Sequence, residues 1–187
     1  MSDRDELQAS FEAYVAARRG ALLRTAYLLT GDSHAAEDLV QNALLNVVAK
    51  WHRIVDDPDP YVRTVLARES VNRWRRRRWR EVHTDVLPDR AVRDDDRHDE
   101  RLVLRAALAR LAPRQRAVIV LRYYEDLTEA QTAAALGISV GTVKSQARDA
   151  LTRLRTQAPE LADGEDAGVD GHPLPTRQPV PGDLSGL

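Results

Sequence analysis

The sequence predicts an all-α protein built as two small helical domains, and three observations carry that expectation. Apolar residues recur at helical steps over most of the chain, no stretch sustains the alternation of a strand, and Ala, Leu and Arg, strong helix formers, dominate. At 187 residues the chain is long enough for one ordinary domain or two small ones, and the pattern fits two better. Hydrophobic residues at 43% supply enough material for cores, while charged residues at 30% demand a heavily charged surface.

The first helical block shows one apolar stripe in Phe11, Val15, Leu22, Ala26 and Leu29. Gly31 stops that helix, and Asp32 and Ser33 are suitable N-caps for the next. There Leu39, Val40, Ala43, Val47 and Trp51 form the buried face, which Leu44, Leu45 and Val48 are expected to widen. Asp57 to Pro60 reads as a loop, with Asp59 capping a third helix whose first residue, Pro60, already has a helical φ. That helix carries Val62, Val65, Leu66 and Trp74. From Glu81 to Glu100 acids accumulate and the period fades, as in a solvated linker. Periodicity resumes at Leu102, Leu104, Leu108 and Leu111, and again after Pro113 in Val118, Ile119 and Leu121. Beyond about Pro159 the composition turns to Gly, Pro and Asp, the signature of a disordered tail.

Several function classes drop out. The chain has no cysteine, which removes disulfides, thiolate metal sites and cysteine nucleophiles, and fits a reducing cytosol. There is no phosphate-binding glycine loop, and the five histidines have no metal-ligand spacing; His34 and Asp38, one helical turn apart, read as an exposed pair. No catalytic residue, metal ligand or cofactor is therefore expected. Met1 to Glu6 is polar and acidic, and no run approaches the ~20 apolar residues of a membrane span, so a cytoplasmic location is expected.

The sharpest local signal lies between Leu127 and Leu154. Thr128 and Gln131 have the spacing of a capping box, so a short helix begins there, with Ala133, Ala134 and Ala135 as a thin packing surface. Gly137 supplies a left-handed end, Ile138 fills the angle, and Ser139 caps a second helix whose Val143, Ala147, Leu151 and Leu154 face inward. Together they have the spacing of a helix-turn-helix. The outer residues Thr142, Lys144, Ser145, Gln146, Arg148 and Arg153 suit a helix entering the major groove.

A second signal is cationic. Arg73, Arg75, Arg76, Arg77, Arg78 and Arg80 are interleaved with Trp74 and Trp79, with Arg63 and Arg68 upstream, and Glu69 is the one acid between Tyr61 and Arg80. Such a density of guanidinium groups suits phosphate contacts. Tryptophans among them can stack on unpaired bases, at about 1–3 kcal/mol per base. A solvated helix end favoured by the helix dipole, with Trp74 packed in a core, is the plainer alternative.

These motifs resemble those of the extracytoplasmic-function sigma factors, which keep only the second and fourth conserved regions of larger sigma factors. The resemblance covers about Phe11 to Arg155 and divides the chain into region two at 7–80, a linker at 81–100, region four at 101–157 and a tail at 158–187. Gly31 to Gln41 looks like the family's polymerase-binding helix, and Leu111 to Tyr124 followed by Gly137 to Ser145 is similar to its region four. The resemblance implies that Glu37, Asp38, Gln41, Asn42 and Leu45 face the clamp helices of the largest core subunit, with the flap of the second-largest subunit as a further partner. It implies that Ser139, Thr142, Lys144, Ser145, Gln146, Arg148 and Arg153 read the minus-thirty-five element of promoter DNA. The loop at about Ile54 to Asp59, with Arg63, Arg68, Asn72, Arg73, Arg75, Arg76 and Arg77, would read the unpaired minus-ten element. Three positions depart from the family pattern: Asn is common where Arg68 stands, Asp where Asn72 stands, and Arg where Gln146 stands.

The function implied is promoter recognition and melting for core RNA polymerase, which performs the catalysis. Family members are often held by an anti-sigma protein that buries the polymerase-binding surface, a partner the resemblance allows here. The tail acids Glu160, Asp163, Glu165, Asp166 and Asp170 are an alternative competitor for the arginine-rich helix. The rival reading is a helix-turn-helix regulator that is not a polymerase subunit; it leaves the first block unexplained.

Overall fold

The structure is a computed structural model, and it describes residues 3–81 and 99–158. The ordered elements among the described residues are all helical. Helix α1 (Asp3–Thr30) opens with Asp3, Asp5 and Glu6, where the positive end of the helix favours acids. It ends at Gly31, whose φ of 77° lies in the left-handed region. Asp32 then caps α2 (Ser33–Val48) by accepting the Ala35 N–H at 2.8 Å. Of the two candidate caps it is Asp32 that serves, and Ser33 is the first helical residue.

A single turn, α3 (Trp51–Ile54), follows where the sequence showed only the end of a buried face. Trp51 fixes it. The indole is 4% exposed, its Nε1 donates to Ser10 Oγ at 2.8 Å, and the rings of Phe11 and Tyr14 each lie 5.1 Å from it.

Helix α4 (Asp59–Glu81) begins at the predicted Asp59-Pro60 pair. Asp59 accepts from Tyr14 Oη at 3.0 Å and is paired with Arg18, so the start of α4 is tied to α1. Burial, and then the bond to Asp59, push the Tyr14 phenol well above its ordinary value and keep it a neutral donor. Leu22, Ala26 and Leu29 of α1, Leu39, Val40, Ala43 and Val47 of α2, and Val62 and Leu66 of α4 form one buried cluster with Trp51. Each large aliphatic side chain so buried contributes roughly 1.5–3 kcal/mol.

Two expected core residues face outward instead: Leu45 is 69% and Val48 46% exposed. Helices α1 and α4 bury the stripe through Leu39, Ala43 and Val47, and among the described residues no helix buries Leu45 and Val48 on the opposite flank. Trp74, whose packing in a core was the plainer alternative, is 43% exposed on α4.

The second half runs through α5 (Asp99–Arg110) and α6 (Pro113–Ile119) into a π-helical turn (Val120–Tyr124), then α7 (Glu129–Leu136) and α8 (Val140–Gln157). Pro113 opens α6, where its missing N–H costs nothing. In the π-helical turn the Glu125 N–H reaches back five residues to the Val120 oxygen at 3.0 Å. Leu108, Leu111, Ile119 and Ala150 form one small cluster, and Val118, Ala133 and Val143 another. Leu104 lies 40% exposed on the outer side of α5.

The two halves share a core. Ala117 and Val120 belong to the buried cluster of the first half, and Ala67 of α4 packs with Leu121 and Ala135. The expected linker falls mostly on residues 82–98 and the expected tail on residues 159–187, both outside the described residues.

Candidate nucleic-acid interface

Each local signal for the helix-turn-helix has its geometric counterpart. Thr128 Oγ1 accepts the Gln131 N–H at 3.2 Å while Gln131 Oε1 accepts the Thr128 N–H at 2.8 Å, a complete capping box. Gly137 ends α7 at a φ of 66°, and Ser139 Oγ accepts the Thr142 N–H at 3.0 Å to start α8. Ile138 packs against Val118, Ala133 and Val143, so the turn angle is fixed by burial. Ala133 and Ala135 are buried beneath the turn, whereas Ala134 is exposed.

On α8, Val143 and Ala150 are buried, with Ala147, Leu151 and Leu154 half-buried beside them. Lys144, Arg148 and Arg153 are exposed; Thr142, Ser145 and Gln146 are half-buried along the same outer side. Several of these groups already have local partners. Ser139 is the cap, Ser145 Oγ donates to Thr142 O at 3.1 Å, and Lys144 Nζ lies 3.6 Å from Glu129. Exposed pairs of this kind exchange readily for phosphate oxygens.

On α2, Glu37, Asp38, Gln41, Asn42 and Leu45 are all exposed, on the flank opposite the core. The amide of Asn42 is anchored on Asp38 O at 2.8 Å. Leu45 stands among these acids and amides as a large exposed apolar side chain.

The residues expected to read the minus-ten element do not form one open surface. Arg75 and Arg76 are exposed, and Asn72 is half-buried. Arg73 Nη2 contacts Asp38 Oδ2 at 2.9 Å, so one of them links α4 to the α2 face. Arg63 lies 3.4 Å from Glu125 and 3.7 Å from Asp59. Arg68 donates to Ala135 O at 2.6 Å and to Ala134 O at 2.9 Å. The side chains of Arg77 and Trp79 lie outside the described residues.

Three residues at the junction escaped sequence reasoning. Glu125 accepts from Thr25 Oγ1 as well as pairing with Arg63, and Arg116, 8% exposed, donates to Leu29 O at 3.2 Å and to Leu111 O at 3.3 Å. Desolvation lowers the Arg116 value. No local spacing marks such contacts, and Arg116, preceded by Arg114 and Gln115, does not stand out from its polar neighbours. Among the described residues no group of acids and histidines has the arrangement of a metal site.

A helix-turn-helix on one domain and an arginine-bearing helix on another define a two-part DNA-binding transcription protein. Residues 10–80 match the family model for sigma-70 region 2, and residues 107–156 match that for sigma-70 region 4. The RNA polymerase sigma-E factor of Streptomyces avermitilis is 45% identical over 150 residues, covering 79% of this chain and 84% of that protein. The ECF RNA polymerase sigma factor SigL of Mycobacterium tuberculosis is 37% identical over 148 residues, covering 75% and 84%. Among solved structures, the sigma factor RpoE from Bartonella quintana, in complex with the anti-sigma factor NepR, superposes with a TM-score of 0.67 at 25% identity, over 80% of this chain and 96% of that one. The chain belongs to the extracytoplasmic-function sigma factors of the sigma-70 family. As such it directs core RNA polymerase to promoters.

Proposed function

We propose that this sigma factor divides its work among three surfaces. The exposed flank of α2, with Glu37, Asp38, Gln41, Asn42 and Leu45, docks on the clamp helices of core polymerase. Helix α8 reads the minus-thirty-five element through Thr142, Gln146 and the cations Lys144, Arg148 and Arg153. The α4 arginines hold the melted minus-ten strand, and the exposed Trp74 offers a stacking surface for an unpaired base. The observation that carries the reading is the complete cap-turn-cap geometry from Thr128 to Thr142. It presents the start of α8, with its positive dipole end, at the surface of the domain.

The chain contributes positioning and melting, and bond formation belongs to core polymerase in the cytoplasm. No helix among the described residues is long and apolar enough to cross a membrane. Likeness to the solved relative held by an anti-sigma factor supports a similar partner here, for which the exposed Leu45 and Val48 offer an apolar patch. The region-two match over residues 10–80 argues against a regulator acting apart from polymerase.

The assignment is tested by dividing the phenotypes. Asp38→Arg with Leu45→Asp should abolish binding to core while leaving binding to a minus-thirty-five duplex intact. Arg148→Ala should weaken that duplex without touching core affinity, and Arg75→Ala with Arg76→Ala should reduce permanganate-reactive melting in an otherwise normal holoenzyme. Core binding that survives the α2 changes would reject the docking surface.

A further inference from the structure

We infer that Tyr14 and Arg18 of α1 are positioning residues for minus-ten recognition: through Trp51 and Asp59 they clamp both ends of the Ile54–Asp59 loop. This rests on the assignment of that loop to the unpaired minus-ten element.

The loop joins α3 to α4, and one face of α1 holds it at both ends. Ser10, Tyr14 and Arg18 follow one another at steps of four, so their side chains form a row about 12 Å long. At the start of the row Ser10 Oγ accepts the Trp51 indole N–H at 2.8 Å, which fixes the turn leading into the loop. At its end Arg18 grips Asp59 as a fork: Nε donates to Oδ1 at 3.1 Å and Nη2 to Oδ2. Tyr14 serves both anchors. Its ring lies 5.1 Å from the Trp51 ring, and its hydroxyl donates to Asp59 Oδ1 at 3.0 Å. Arg63, one turn further along α4, lies 3.7 Å from the same carboxylate.

Between the anchors the chain turns tightly. The Asp57 N–H donates to Ile54 O at 3.1 Å, and Ile54 and Val55 pack against the core. Asp56 and Asp57 are left exposed at the tip. With Asp59 they place three carboxylates within four positions, and like charges so close repel. Arg18 and Arg63 neutralise the third and keep the start of α4 in place. The pair of Arg18 and Asp59 has side-chain exposures of 21% and 26%, sheltered enough to hold without the full cost of desolvation. The two tip acids can accept from the exocyclic amine of an extruded cytosine or adenine. Such a contact discriminates between bases only when the acceptors are held still beforehand, and the row on α1 holds them.

The test uses holoenzyme assembled from core polymerase and the full chain, with a random single-stranded DNA 12-mer as the probe. Sequencing the bound fraction and aligning it gives the base preference at each position. Asp56→Ala with Asp57→Ala marks the position that the loop reads, as the one whose preference it removes. Tyr14→Phe, which deletes a single donor, and Arg18→Ala should each weaken the preference at that position about fivefold. Both should leave the other positions and the affinity for core unchanged, and Arg18→Lys should recover part of the preference. Leu29→Ala loosens the same core at the far end of α1. It should lower the midpoint of thermal unfolding and keep the preference at every position. A marked position as selective in Tyr14→Phe and Arg18→Ala as in Leu29→Ala would overturn the positioning role, and so would an equal loss at every position. If the Asp56 and Asp57 changes alter no position, the assignment of the loop to the minus-ten element fails, and the positioning role with it.

Discussion

Arg116 and Leu29 meet across the junction of the two domains: the guanidinium Nη1 donates to the leucine main-chain oxygen at 3.2 Å, from a side chain 8% exposed. Leu29 sits in the last turn of α1, so a cation from α6 satisfies a carbonyl that helix geometry leaves without a partner. The same group reaches Ala109 O and Leu111 O, and so gathers the ends of α1 and α5 at one point.

Arg116→Ala should therefore cost about 2–4 kcal/mol, since it leaves buried carbonyls unpaired and a void where the stem lay. Chemical denaturation monitored by circular dichroism checks it. A loss below about 0.5 kcal/mol would show that water replaces the guanidinium without penalty.

Gly137 at a φ of 66° predicts a second cost. Gly137→Ala should destabilise by about 1–2 kcal/mol through the left-handed strain alone, because a Cβ there meets nothing closer than Arg68 Nη2 at 3.9 Å. The substitution should lower the midpoint of thermal unfolding and weaken minus-thirty-five binding together, as the angle between α7 and α8 loosens.

The Tyr14 phenol predicts a pH dependence with a definite sign. Its value in the folded chain is raised above the ordinary value of about 10, so the unfolded chain releases this proton first as pH rises. The contribution is present in full below about pH 10 and is lost above it, as pH climbs toward the folded value. Tyr14→Phe should flatten the alkaline decline of stability relative to wild type. Parallel declines in the two proteins would refute the assignment.

Gln146 stands half-buried on the outer side of α8, where the family commonly has Arg. Glutamine pairs bidentately with adenine and arginine with guanine, each good pair worth about 1–3 kcal/mol of discrimination. Gln146→Arg should move the preference of one upstream base toward guanine in a binding selection. An unchanged preference at every upstream base would exclude Gln146 from readout.

What was legible in the sequence was local. Asp32, Gly31, Thr128 with Gln131, Gly137 and Ser139 act within four residues of their partners, so their spacing carries the geometry. The stripe of Leu39, Val40, Ala43 and Val47 was legible for the same reason. Leu45 and Val48 were misplaced because apolar residues lie on more than one side of α2, and periodicity does not say which neighbour is missing. Arg68 to Ala135, Arg116 to Leu29 and Thr25 to Glu125 join residues 67, 87 and 100 positions apart. No periodic pattern encodes such pairs. The arginines of α4 could thus be recognised as a cationic surface but not as partners of the second domain.

The measurement that bears most directly on the account is transcription with core RNA polymerase stripped of every other sigma factor, supplied with this protein and a library of genomic fragments. The account predicts discrete transcripts that depend on the protein, whose aligned start sites define two upstream elements, and which disappear with Asp38→Arg. Absence of protein-dependent starts, with the chain folded and a known sigma factor active on the same core, would contradict it.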